Sequence, residues 1–74
     1  MDKLEAVFRD VFDRPDLKID GLTRSNFSEW DSLAHVKLII AIEEEFNFKF
    51  TIDQVSNLRS VKEIKILLGD RLVS

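Results

Sequence analysis

The sequence predicts an all-α fold of three main helices and one short one, with a long loop between the first two. Three observations lead there. Apolar residues recur at spacings of three and four in three separate stretches, the signature of amphipathic helices. Two of those stretches open on residues that satisfy the free N–H groups of a helix start: Asp31-Ser32, and Ser60 with Glu63 three places on. The chain holds only two glycines and one proline, which suits helices and argues against a turn-rich β fold.

The first helix follows Asp2 as its candidate cap. Leu4, Val7, Phe8, Val11 and Phe12 then form one apolar stripe, each side chain worth roughly 1.5–3 kcal/mol if fully buried. Pro15 ends this helix by Arg14, because the residue before a proline avoids the α region. From Asp16 to Trp30 no helical period is sustained, and Gly21, Ser25, Asn26 and Ser28 mark a loop. A loop this long must be tied down, and Leu17, Ile19, Leu22, Phe27 and Trp30 are the anchors expected.

The second helix begins at Asp31-Ser32 and runs to Phe46. A wheel at about 3.6 residues per turn puts Leu38, Ile39, Ile42 and Phe46 on the buried arc. Leu33, Lys37, Ile40 and Glu44 form a second stripe beginning beside Ser32. Two readings of it stand: Leu33 and Ile40 reach a neighbouring helix, or the stripe is a contact surface for partners that approach Ser32. Ser32 itself is expected on the surface at the helix N-terminus, where the dipole favours an anion such as a phosphate ester.

Asn47 is placed to end this helix in the left-handed conformation. Phe48, Phe50 and Ile52 alternate with polar residues, which alone is a strand signal. A single strand has nothing to pair with, so an extended connector burying Phe50 and Ile52 is expected. Thr51 with Gln54, or Asp53 alone, starts a short helical turn through Val55 and Ser56. Ser60 and Glu63 open the last helix, with Val61, Ile64, Leu67, Leu68 and Leu72 inward and Gly69 as a weak point.

Seventy-four residues make one small domain, residues 1–74. The formal net charge of −3 disfavours nucleic acid, whose phosphates demand a basic patch. There is no cysteine, so neither disulfides nor thiolate metal sites are available. No apolar run approaches membrane-spanning length, and none has the form of a secretory signal. A cytoplasmic monomer that does not insert into membranes is the expectation.

Several motifs invite chemistry. Asp16 to Gly21, DLKIDG, resembles the opening of a calcium loop, but Lys18 occupies a ligand position and Phe27 stands where a bidentate Glu is required. Ser32 and His35 are a serine and a histidine three apart. A hydrolase also needs an orienting group and an oxyanion hole, and Asp31 points elsewhere on the helix surface. His35 is the only histidine, so a zinc site lacks ligands; it is expected as a partly buried structural residue at the mouth of the core. Glu43, Glu44 and Glu45 read as a solvated acidic patch or as a docking site for basic partners. Trp30 reads as a loop anchor rather than a ligand-stacking group. No metal site and no catalytic residue is predicted.

Asp31-Ser32-Leu33 at a helix start, followed by Leu38, Ala41, Ile42, the acidic run and Phe46, resembles the acyl carrier proteins. The resemblance extends over essentially the whole chain. It implies a small four-helix bundle, and a 4′-phosphopantetheine arm on Ser32 installed from coenzyme A by a phosphopantetheinyl transferase, with Asp31 assisting. The arm's thiol would carry acyl groups as thioesters to acyl-loading and acyl-processing enzymes, while the chain itself would catalyse nothing. Leu33, Lys37, Ile40, Glu43 and Glu44 fall at or among the family's partner-recognition positions, and Ile39, Phe46, Ile52, Val55 and Ile64 resemble those lining an acyl pocket. Ala34 and Lys37 stand where carriers of primary fatty-acid synthesis are usually acidic. WDSLAHV is more similar to specialised carriers of secondary pathways or surface-polysaccharide gene clusters. An aminoacyl or peptidyl carrier is an alternative, as is an unmodified helical adaptor.

Overall fold

The structure, a computed structural model, describes residues 3–69. It contains four helices in the expected order: α1 (Lys3–Phe12), α2 (Ser32–Phe46), α3 (Ile52–Asn57) and α4 (Val61–Leu68). Among the described residues there is no strand, and the fold is an all-α bundle. The candidate cap Asp2 and the inward Leu72 lie outside the described residues.

α1 stops at Phe12, two residues short of the expected end. Asp13 adopts a left-handed conformation at φ 55°, and the Arg14 N–H reaches back to the Arg9 carbonyl at 2.9 Å. Asp is one of the few side chains that tolerates this conformation, so the helix is closed before Pro15 acts on it. α2 closes in the same way. Asn47 sits at φ 50° and its N–H meets the Glu43 carbonyl, as the sequence predicts.

The core joins the apolar stripes of α1, α2 and α4. Leu4, Phe8, Leu38, Ile42, Ile64 and Leu68 are fully buried, and Ile39, Phe46 and Val61 are buried beside them. The predicted buried arc of α2 is therefore correct in all four members. Trp30 closes the core from the loop side: it is 2% exposed and lies edge-on to Phe8, with ring centroids 5.4 Å apart.

The long loop is held by more than its apolar side chains. Ile19 and Trp30 are buried, and Leu17, Leu22 and Phe27 pack partly against the core. In addition, Thr23 forms an isolated antiparallel bridge with Ser60. Arg24 N–H donates to the Arg59 carbonyl at 2.9 Å, and Val61 N–H to the Leu22 carbonyl at 3.0 Å. The Arg9 guanidinium donates to the Leu17 carbonyl at 2.9 Å. An ion pair between Arg14 and Glu29 spans the loop; the Glu29 hydrogen bond, then its charge, raises the Arg14 pKa. That guanidinium is exposed and cationic throughout the working range, so no pH dependence follows from it.

Two expectations about the connector after α2 need correction. Ile52 is not buried; it is 85% exposed. Thr51 and Gln54 form the capping box that was expected, and this makes Ile52 the first residue of α3. The alternating pattern thus ends at Phe50, and helical geometry turns Ile52 to solvent. Glu43 is the second. It is not part of an open acidic patch: its carboxylate accepts the Phe50 N–H at 2.9 Å, and its side chain is only 17% exposed. Lys49 lies 3.9 Å from the other oxygen. Glu43→Ala is expected to cost about 1–3 kcal/mol, since it orphans a half-buried N–H that now meets a charged acceptor. Urea unfolding of the variant measures this, and a change below about 0.5 kcal/mol contradicts it.

The last helix shows a related shift. Ser60 Oγ accepts from the Glu63 N–H at 3.1 Å, as in a capping box. The returning bond from the Glu63 carboxylate goes to the Arg59 N–H at 2.8 Å, one residue before the cap.

Candidate functional site

The head of α2 is built by Asp31. Its backbone is extended, with φ −91° and ψ −173°, and its Oδ1 accepts the Ala34 N–H at 2.9 Å. That is the N-cap bond, made by the aspartate rather than by the serine. The Asp31 carbonyl accepts the His35 N–H at 2.8 Å and starts the helical ladder. Ser32 is consequently the first residue of the helix proper. It is exposed, and no side-chain hydrogen bond from the described residues engages its hydroxyl. The hydroxyl stands at the positive end of the helix dipole, where an attached phosphate would be favoured.

Beside Ser32 the second stripe of α2 faces solvent. Leu33 is 66% exposed, Val36 54% and Ile40 52%, and Lys37 and Glu44 are exposed with them. Leu33 and Ile40 therefore do not reach a neighbouring helix, which removes one of the two readings of this stripe. Large apolar side chains grouped on one open face are a feature of interaction surfaces. Lys37 is the only charged residue from Ser32 to Ala41.

Ser32 and His35 are not a nucleophile and its base. His35 is buried, at 6% exposure, and both its ring nitrogens are occupied. Trp30 Nε1–H donates to Nδ1 at 3.0 Å, and Nε2 lies 2.9 Å from the Val55 carbonyl. An indole nitrogen can only donate and a carbonyl can only accept, so His35 is the neutral tautomer with its proton on Nε2. The expected structural histidine is thus found, more deeply placed than at the mouth of the core. The three-part link Trp30–His35–Val55 was not legible in sequence; its only trace is a polar residue on the buried arc with a tryptophan five residues earlier.

The residues expected to line an acyl pocket differ in burial. Ile39, Phe46 and Ile64 are packed in the core, Val55 is half-buried, and Ile52 is outside. A cleft of about 310 Å³ lies between α3 and α4, lined by Asp53, Gln54, Asn57, Leu58, Glu63, Ile66 and Leu67. Among the described residues no group of three His, Cys, Asp or Glu is arranged to hold a metal ion, and no helix is long and apolar enough to cross a membrane.

A family model described as the phosphopantetheine attachment site matches residues 2–68. The chain belongs to this family. No curated protein and no solved structure matches it. Members of the phosphopantetheine attachment site family carry a 4′-phosphopantetheine group, and the match agrees with the resemblance to acyl carrier proteins. As a class, these carrier domains are generally not catalytic, and they interact with a phosphopantetheinyl transferase and acyl-processing enzymes. The head of α2 fits the group: a free, exposed hydroxyl, a helix N-terminus for the phosphate, and a carboxylate next to it whose second oxygen has no protein partner among the described residues.

Proposed function

We propose that Ser32 is the attachment point of the 4′-phosphopantetheine arm, and that the chain carries acyl groups as thioesters between enzymes of fatty-acid, polyketide or other specialised acyl metabolism in the cytoplasm. The observation that carries this reading is the exposed Ser32 hydroxyl at the head of α2, within the family match. In the attachment step the serine oxygen bonds to the phosphorus of the arm, the serine proton passes to a base, and the pyrophosphate link of coenzyme A breaks with adenosine 3′,5′-bisphosphate as the leaving group. The arm supplies the thiol that this chain, having no cysteine, lacks. Asp31 is close enough in sequence and open enough to assist the transfer. Leu33, Ile40, Lys37 and Glu44 form the face that partners approach, while Glu43 serves the fold. An acyl chain sheltered among Ile39, Phe46, Val55 and Ile64 would enter between side chains of which Ile39, Phe46 and Ile64 are buried in the core of the free chain.

The test is incubation with a broad-range phosphopantetheinyl transferase and coenzyme A, read by intact mass. The expected result is a gain of one phosphopantetheine unit, absent in Ser32→Ala. Ser32→Ala should unfold in urea within about 0.5 kcal/mol of the unaltered chain, since the side chain is exposed and does not cap. A mass gain that survives the substitution rejects Ser32 as the site. No gain in the unaltered chain rejects the carrier reading in favour of a helical adaptor.

A further inference from the structure

His35 touches three parts of the fold and belongs to none of the chemistry at Ser32. Its backbone is in the first turn of α2, one ring nitrogen meets the end of the long loop at Trp30, and the other meets α3 at Val55. α3 is the most weakly held helix. It has six residues, none of them buried, and its caps are local. Val55 packs partly on the core and Leu58, just past the helix, is buried. The bond to His35 is the one side-chain hydrogen bond that the described residues of another element make to α3.

Both ring bonds together are open only to the neutral Nε2–H tautomer. Protonation adds a second donor at Nδ1, which then faces the Trp30 N–H at a spacing of 3.0 Å. The resulting cation also lacks a counter-charge. The charged groups nearest in sequence to the ring and its two partners are Asp31 at the head of α2 and Lys37 within it, Arg24 and Glu29 on the loop, Asp53 on α3 and Arg59 after it; Glu43, Glu44 and Glu45 of α2 and Asp16, Lys18 and Asp20 of the loop lie further along the chain. None bonds the ring among the described residues: Asp31 caps Ala34, Glu29 pairs with Arg14, and Arg24 Nε lies 3.3 Å from the Trp30 carbonyl. A buried charge without a paired partner is strongly unfavourable, so the protonated ring must leave its slot. Trp30 is buried and packed on Phe8, whereas α3 has no fully buried residue of its own and is the less firmly held of the two.

We propose that His35 is a proton-operated latch on α3: neutral, it fastens α3 to the head of α2 and to Trp30; protonated, it lets α3 swing away from α2. His35 is a positioning residue here. The proposal does not depend on Ser32 being modified, so its failure and that of the carrier reading are separate.

The test uses the full, unmodified chain in a pH titration by NMR, from about pH 8 to about pH 5, the range in which histidine charge commonly changes. His35 is the only histidine, so its ring signals are unambiguous. The His35 ring, the Trp30 indole N–H and the Val55 and Leu58 amides are expected to titrate with one midpoint. Exchange of the Val55 and Leu58 amides, corrected for intrinsic rates, should rise about tenfold on the acid side while α1 amides stay protected. Trp30→Phe removes the opposing donor and should reduce the acid-side rise in Val55 and Leu58 exchange. His35→Gln should abolish the pH response of α3. Titration of the ring with Trp30 and α3 signals unmoved overturns the latch. So does a ring that stays neutral until α1 loses protection with everything else. The titration of the unaltered chain decides the matter even where a variant fails to fold.

Discussion

Trp30→Ala is expected to leave the chain barely folded. The indole is 2% exposed and packed on Phe8, and truncating a buried tryptophan to alanine costs about 3–5 kcal/mol. The substitution also strips the buried His35 Nδ1 of its donor, at about 1–3 kcal/mol for an unsatisfied polar atom. Folded proteins hold roughly 0.05–0.15 kcal/mol per residue, which for a chain of this length is about 4–11 kcal/mol. The two losses together, about 4–8 kcal/mol, equal or exceed the stability at the lower end of that range and take much of it at the upper end. Urea unfolding followed by circular dichroism measures it, because the variant has no tryptophan to report by fluorescence. Trp30→Phe keeps one aromatic ring but loses the five-membered ring together with its N–H, so its smaller cost combines a partial cavity with the lost hydrogen bond to His35, the latter about 1 kcal/mol. If Trp30→Ala costs less than about 1 kcal/mol, Trp30 is not the lid of the core described above.

Leu33→Glu is expected to change function and spare the fold. Leu33 is 66% exposed and directly follows Ser32, so its side chain stabilises little in the free chain. Any protein that brings a reactive group to Ser32 must cover it. Anchors of this kind at an interface centre contribute about 2 kcal/mol or more when truncated. A charge buried without a partner is worse than a truncation. The kcat/KM for transfer of phosphopantetheine to Leu33→Glu should fall at least tenfold, with urea stability within about 0.5 kcal/mol of the unaltered chain. An unchanged rate would show that the apolar stripe of α2 lies outside the transferase footprint, and would leave Leu33, Val36 and Ile40 without their proposed role.

Much of this protein is written in short-range pattern. The four helices, the arc of Leu38, Ile39, Ile42 and Phe46, the left-handed Asn47, the Thr51–Gln54 box and the surface position of Ser32 all follow from residues within one or two turns of each other. Helix period and capping are local physics, so a one-dimensional string carries them. Other features hinge on groups far apart in the chain meeting in space. Glu43 turns from a surface acid into a partner for the Phe50 N–H, and the loop is stitched at Thr23 to Ser60. His35 is gripped by Val55, twenty residues on, as well as by Trp30. Each depends on where one element ends and on the angle at which another arrives. Spacing along the chain does not encode that, because a hydrogen bond cares about a few ångströms of distance and not about the count of intervening residues.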